Sequence, residues 1–322
     1  MRDYIITGAT GYIGSMLVKH IKAKDKDAGI IVLVRDRVKA ENMLPHDVRI
    51  VELDLCDKRC VERLSEKGIR ADYIIHCVSV TASVEMIIHP VEVIESIVNT
   101  TQTILTYARR NPIKSMVYLS SMEVYGNVDC SKEHRTTENE ISQGAVELLT
   151  SRSCYPMGKR MAENICYSYF KEYGVPVKIA RLAQIFGEGI LSSEKRVFAQ
   201  FAKAVKEGRD IVLHTHGHSV GNYCGIHDAV LAIMTILEKG VSGEAYNVVN
   251  EANTMTIRQM AELVADKIAD GKIKIVYDIP EENRYGYAAD TALRLSGEKL
   301  KSLGWEPEED LENMYLQLIK EP

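Results

Sequence analysis

Tyr155 and Lys159 bracket the segment Tyr155-Pro-Met-Gly-Lys159. On a helix, residues four apart share a face, so the two side chains can project together. A phenol beside an ammonium is an acid–base pair. Free tyrosine has a pKa of about 10, and each unit of lowering corresponds to about 1.36 kcal/mol. An adjacent cation, with a second positive charge nearby, would favour the phenolate and make Tyr155 a base near neutral pH. Such a pair is common on ordinary exposed helices. It gains meaning from a glycine loop early in the chain, Thr7-Gly-Ala-Thr-Gly-Tyr-Ile-Gly14.

Residues Asp3–Thr7 read as a short buried strand, and Ser15–Ile21 opens a helix with apolar Met16, Leu17 and Ile21. Between them, Gly8, Gly11 and Gly14 fall at spacings of three. Glycines permit the tight turn and let backbone N–H groups approach a pyrophosphate at the helix N-terminus. The loop therefore predicts a dinucleotide site built from Gly8, Thr10, Gly11, Tyr12, Ile13 and Gly14. An oxidised nicotinamide ring would supply the second positive charge near Tyr155.

The elements that must position these groups follow an alternating pattern. Strands are predicted at Tyr4–Ile6, Ile30–Val34, Arg49–Leu53, Tyr73–Cys77, Met116–Leu119 and Val177–Arg181, with helical segments between them. This is the signature of an α/β fold with a doubly wound parallel sheet of the Rossmann type. Pro156 falls in the first turn of the helix carrying Tyr155, where its missing N–H costs little. Asn127–Thr150 is polar and weakly patterned, and reads as a long active-site loop with a short helix. From Gln184 the pattern changes to helices at Val197–Glu207, Asp228–Lys239 and Thr256–Ala269, with strands at Ile211–Leu213 and Tyr246–Val249. The expected division is a dinucleotide-binding domain over 1–183 and a smaller C-terminal α/β substrate lobe over 184–322, some later segments returning to the large sheet.

The chain has 322 residues, 46% hydrophobic, with a net charge of −5 and both signs dispersed. That argues against a nucleic-acid surface. No apolar run approaches the roughly 20 residues needed to span a bilayer. The first strand starts within a few residues of Met1, which leaves no room for a signal peptide. Seven cysteines form no C-x-x-C pair, which points to reduced thiols and a cytoplasmic protein. Cys154 reads as a pocket-wall or buried residue. His214, His216 and His218 alternate, but Gly217 interrupts the strand that would align them, so no metal site is expected.

The G-x-x-G-x-x-G loop with Tyr155 and Lys159 resembles the extended short-chain dehydrogenase/reductase superfamily. Other segments carry the likeness along nearly the whole chain: Asp54-Leu55-Cys56-Asp57, Asp72–Val78, Asn99, Met116–Gly126 and Leu303-Gly-Trp-Glu-Pro307. Arg152–Glu163 (Arg-Ser-Cys-Tyr-Pro-Met-Gly-Lys-Arg-Met-Ala-Glu) looks most like UDP-glucuronate decarboxylases and related nucleotide-sugar dehydratases. The resemblance implies further cofactor contacts at Asp54, Leu55, Cys77, Val78 and Asn99, with Lys159 on the nicotinamide ribose. It implies that Ser121 orients a substrate hydroxyl toward Tyr155, and that Glu123 can remove a proton beside a new 4-keto group. Met122 departs from the dehydratase pattern, which carries an aspartate acid there. Gln184 stands in place of an asparagine and Gly221 in place of a diphosphate-binding arginine. Either Arg196 or Arg284 is the replacement cation, or the substrate is not an ordinary nucleoside-diphosphate sugar.

About 20 residues past the loop, an acid favours NAD and an arginine NADP; here Arg35 and Asp36 are adjacent. The resemblance implies NAD, with NADP left open. The expected activity is an NAD-dependent epimerase/dehydratase-type reaction on a nucleotide sugar through a transient 4-keto intermediate. The alternatives are an NADP-dependent carbonyl reductase and a non-catalytic dinucleotide sensor. The resemblance also implies a homodimer through the helices at Ile94–Arg109 and Tyr155–Tyr173.

Overall fold

The structure is a computed structural model that describes residues 2–128, 134–141, 144–191, 194–280 and 291–320. The first half runs β1 (Asp3–Thr7), α1 (Tyr12–Lys24), β2 (Gly29–Val34), α2 (Arg37–Met43), β3 (Arg49–Glu52), α3 (Cys60–Glu66), β4 (Tyr73–His76), α4 (Ser83–Ile88), α5 (Pro90–Arg110), β5 (Ser115–Ser121), α6 (Cys154–Tyr173) and β6 (Val177–Leu182). The second runs β7 (Gln184–Phe186), α7 (Val197–Lys206), β8 (Ile211–Leu213), β9 (Val220–Gly221), β10 (Tyr223–Gly225), α8 (Ile226–Lys239), β11 (Ala245–Val248), β12 (Met255–Thr256), α9 (Ile257–Leu263), β13 (Ile275–Tyr277), α10 (Glu298–Lys301) and α11 (Leu311–Lys320).

Among the described residues the main sheet has seven parallel strands in the order β11-β6-β5-β4-β1-β2-β3. Its strands are apolar on both faces, as a sheet covered by helices on both sides must be. In β5, Met116 and Tyr118 enter the core layer with α3, α5 and α6, while Val117 and Leu119 enter the layer with α1 and α8. Strand order reverses between β1 and β4, the place where doubly wound sheets bind dinucleotides beyond the carboxyl ends of their strands.

The short strand expected near Tyr246 is β11, and it belongs to the main sheet, paired with β6 from Ala245–Ile179 to Val248–Leu182. Tyr246 and Val248 are buried there, which is why the segment reads as an apolar strand. Three two-stranded pieces, β7–β10, β9–β12 and β8–β13, accompany α7, α9 and α11 around a separate core. Phe186, Phe198, Tyr223 and Tyr315 form its aromatic centre, with the Phe186 and Phe198 rings stacked at 4.4 Å. The helix expected over Thr256–Ala269 is regular only to Leu263 and continues as a wider π turn over Val264–Ile268. Within the loop 127–150, Glu138–Glu140 makes one 3₁₀ turn and Asn127 bridges Ala145.

Candidate active site

The turn after β1 is shaped by its glycines. Gly8 has φ +67°, and a β-carbon on it would press on the backbone carbonyl of Cys77 at 3.1 Å. A β-carbon on Gly14 would overlap the Gly8 carbonyl, so the first turn of α1 packs directly on the loop. The N-cap of α1 is Gly11, and no side chain caps the helix. The first-turn N–H groups are thus left for an anion, and the positive end of the helix faces it. These residues fit the pyrophosphate of a dinucleotide. Among the adenine-side candidates, Arg35, Asp36 and Asp54 are exposed. Asp36 caps α2 by accepting from Lys39 N at 2.9 Å, and Asp54 accepts from Cys56 N at 2.9 Å. Leu55 is buried, Cys77 and Val78 are half-buried, and Asn99 is exposed on α5.

Tyr155 and Lys159 sit on the first turns of α6, both buried. The Lys159 ammonium lies 5.8 Å from the Tyr155 ring centre and 4.8 Å from that of Tyr118. It donates to the Leu119 carbonyl at 2.7 Å. Burial pushes Lys159 down to about 8, while nearby Glu163 and Cys77 favour its charge. Helical spacing thus brings the two groups together, yet Tyr155 is not lowered: burial pushes its phenol up to about 12, and the charge of Glu123 adds to that rise. The hydrogen bond with Ser121, the charge of Arg196 and the Ser79 hydroxyl act in the opposite direction. Desolvation outweighs these contacts because an isolated phenolate is costly away from water.

Ser121 ends β5, and its hydroxyl also accepts from Glu123 N at 3.2 Å, capping the 3₁₀ turn Met122–Tyr125. Glu123 pairs with Arg152 at 3.1 Å. Burial raises the Glu123 carboxyl, and Arg152 and Arg196 oppose that rise. Arg196 therefore lies within electrostatic reach of both Tyr155 and Glu123; its guanidinium is paired with Glu194 at 2.6 Å and stacked over Phe198. Cys154 is half-buried against the Met86 carbonyl, and burial raises its thiol, which keeps it protonated and unsuited to nucleophilic work.

Gln184 is half-buried and pairs through its backbone with Asn222. Gly221 is buried in β9, and a β-carbon there would overlap the Tyr223 phenol ring. Introducing an arginine at Gly221 to gain a phosphate contact is therefore excluded by packing, because Tyr223 occupies the space over the glycine. Arg284 lies outside the described residues. His214 is paired with Asp278, and the His216 and His218 rings stack at 5.6 Å; among the described residues no cluster has a metal-ligating set.

Sequence reasoning missed Arg152, Ser79 and His76. His76, at the end of β4, is fully buried between Thr7 Oγ1 at 2.7 Å and the hydroxyls of Thr101 and Thr100 at 3.3 and 3.4 Å. A histidine closing an apolar strand was the available signal.

An α/β dinucleotide-binding fold with Tyr155 and Lys159 on α6 beside the carboxyl end of β5, where Ser121 closes the strand, defines a nicotinamide-dependent enzyme class. The profile of the NAD dependent epimerase/dehydratase family matches residues 4–249, and the chain belongs to that family, whose cofactor is NAD. It is 26% identical over 308 residues to UDP-glucuronic acid decarboxylase 6 of Arabidopsis thaliana, covering 94% of this chain and 83% of that protein. It is 27% identical over 256 residues to the dTDP-D-glucose 4,6-dehydratase of Dictyostelium discoideum, covering 77% of this chain and 58% of that one. Among solved structures, the UDP-glucose 4-epimerase of Thermotoga maritima with UDP-glucose superposes with a TM-score of 0.83 at 22% identity, over 99% of this chain and 97% of that one. The dTDP-glucose 4,6-dehydratase of Bacillus anthracis in complex with NAD gives 0.79 at 21% identity, over 99% and 96%.

His76 generates a pH prediction. Burial, with the charge of Lys159 adding to it, lowers its folded-state pKa from 6.5 to about 3. The unfolded chain therefore takes up a proton that the folded chain refuses. Stability is complete above the unfolded value and falls as pH drops toward 3, by about 1.4 kcal/mol for each unit of that window. Urea midpoints should decline between pH 7 and pH 4.5, and His76→Gln should flatten that part of the slope. An equal slope in the variant would assign the acid sensitivity elsewhere.

Proposed function

We propose that this chain acts on a nucleotide sugar through a transient 4-keto intermediate, as an enzyme of the epimerase, dehydratase or decarboxylase kind. The observation that carries the reading is the buried Tyr155–Lys159 pair, with the Ser121 hydroxyl, on the same edge of the sheet as the glycine cradle. Cys77 joins the two: its carbonyl faces Gly8, and its side chain lies within electrostatic reach of Lys159. The cradle formed by Gly8, Thr10, Gly11, Tyr12, Ile13 and Gly14 would hold the dinucleotide, with further contacts from Cys77, Val78 and Lys159. Bound NAD supplies a hydride acceptor and a positive ring.

Ser121 orients the sugar C4 hydroxyl, and Tyr155 takes its proton. The high pKa of the buried phenol makes it a strong base once ionised. Lys159 keeps positive charge beside it. Glu123 removes the proton next to the new ketone in a substrate that eliminates or epimerises there. Arg196 and Gln184 bind the substrate; the charge of Arg196 reaches both Tyr155 and Glu123. A decarboxylating substrate is supported by the likeness to UDP-glucuronic acid decarboxylases.

The six described cysteines are unpaired, which supports a reducing, cytoplasmic setting. No helix among the described residues is long and apolar enough to cross a membrane. Two chains pair through α5 and α6, whose outer surfaces expose Val91, Ile94, Met161 and Tyr167.

Two measurements test this reading. Wild-type protein with NAD, given UDP-glucuronate, UDP-glucose or dTDP-glucose separately, should convert at least one to a new nucleotide sugar without net NADH, as followed by mass spectrometry. Tyr155→Phe should lose at least 99% of that rate while binding NAD within a few-fold, because the ring stays and the ionisable oxygen goes. Stoichiometric NADPH consumption, or a variant retaining a tenth of the rate, would overturn it. Sedimentation at micromolar concentration should give a dimer that Met161→Glu weakens; a monomer would remove the α5–α6 interface.

A further inference from the structure

Arg152 sits in the 3₁₀ turn Ser151–Ser153, three residues before Tyr155. Its Nη2 donates to both carboxylate oxygens of Glu123, at 3.2 and 3.1 Å. Its Nη1 donates to Ser83 Oγ at 3.2 Å and approaches Met86 Sδ at 3.3 Å, both on α4. One guanidinium thus joins the segment after β4, the loop after β5 and the turn that leads into α6. All three border the reacting groups. We propose that Arg152 is a positioning residue for the reaction, aiming the Glu123 carboxylate and keeping it ionised.

The geometry separates this role from mere support of the fold. About two-fifths of the Arg152 side chain and a third of that of Glu123 remain exposed, 44% and 33%. An ion pair open to water to that extent contributes little to stability. Its consequence is directional. Glu123 stands on a single 3₁₀ turn, and among the described residues the hydrogen bonds reaching its carboxylate come from Arg152. A flexible three-torsion side chain on so short a turn has little else to fix its rotamer. A carboxylate that must meet one carbon-bound proton needs such fixing, since a displacement of about 1 Å can cost 10²-fold in rate.

The charges around Glu123 come from three directions. Arg152 and Arg196 favour its ionised form, and the Tyr155 phenol and Cys154 thiol are both raised by its negative charge. Burial works against ionisation. Removing Arg152 leaves Arg196, itself engaged with Glu194, as the cation opposing burial. The folded-state pKa of Glu123 then rises. A reaction requiring the ionised carboxylate loses rate from higher pH downward.

This inference rests on the reading of Glu123 as the proton acceptor, and the experiment keeps the two apart. Using a nucleotide sugar that the wild-type protein converts with NAD, kcat and kcat/KM are measured from pH 5 to 9 for wild type, Arg152→Met, Arg152→Lys, Glu123→Gln and the double variant Arg152→Met/Glu123→Gln. Melting temperatures are recorded for all. Arg152→Met should lower kcat at least tenfold at pH 7, change KM less than threefold and melt within a few degrees of wild type. Its acid limb should lie at higher pH. Arg152→Lys should recover part of the rate and bring the limb back toward wild type. The double variant should be no slower than Glu123→Gln alone, because Arg152 acts through Glu123. An inactive Glu123→Gln beside an Arg152→Met with an unmoved limb would overturn the positioning role and leave the reading of Glu123 standing. A Glu123→Gln with wild-type turnover would overturn both. An acid limb displaced to lower pH, or a double variant tenfold slower than Glu123→Gln, would contradict the proposal.

Discussion

An ionised carboxylate inside a protein survives only with partners, and the arrangement of this site depends on how Glu163 finds them. Glu163 lies on α6 one turn beyond Lys159 and two beyond Tyr155, within the same helical row. It accepts from Arg181 through Nε at 3.0 and 3.2 Å and Nη2 at 2.8 Å, and from Ser120 at 2.6 Å. Arg181 reaches on to the Tyr125 hydroxyl and the Glu138 carbonyl. Tyr125 then donates to Asn247 on β11. Both members of the pair are nearly sealed from water, at 6% and 8% exposure. Removing one partner of such a pair typically costs about 3–5 kcal/mol, because the other charge is stranded. The network therefore fixes the rotation and depth of α6 against β5 and β6, and with them the direction in which Tyr155 and Lys159 project.

The same desolvation shapes the chemistry. Burial favours the neutral form of both side chains, raising Tyr155 and lowering Lys159. Glu163 favours the charge on Lys159, whereas at Tyr155 the charge of Arg196 favours the phenolate and that of Glu123 opposes it. Glu163 and Cys77 stand near Lys159, while Arg196, Ser121 and Ser79 face Tyr155. A phenol so placed holds its proton until a further positive charge arrives. A bound oxidised nicotinamide would add a positive charge of the kind that favours the phenolate in the proposed reaction.

Much of this was legible in the residues themselves. The six early strands were marked by short apolar runs because both faces of a parallel sheet are buried. Gly8, Gly11 and Gly14 announced a tight turn, with a positive φ at Gly8 and no room for a β-carbon at Gly14. Tyr155 and Lys159 were marked by a helical interval. Local patterns did not reveal what the tertiary fold decides. The placement of β11 at the edge of the main sheet depends on pairing with a strand some sixty residues earlier. The direction of the Tyr155 shift depends on burial, which spacing does not report. Gly221 looked like a lost phosphate contact, yet the phenol of Tyr223 fills the space over it. Arg152 was read only as part of a motif, since its link to Glu123 spans two loops.

Tyr155 is proposed to begin an oxidation at C4 that is reversed within the same sugar, with no net change in the cofactor. The most direct measurement uses a converted nucleotide sugar carrying deuterium at C4, with wild-type protein and NAD in ordinary water. The reading predicts that each product molecule retains the deuterium through many turnovers, at C4 where the ketone is reduced again or on the carbon left unsaturated where the sugar eliminates, detected by mass spectrometry and proton NMR. Product formed with C4 hydrogen drawn from water, or deuterium accumulating stoichiometrically in reduced cofactor, would contradict it.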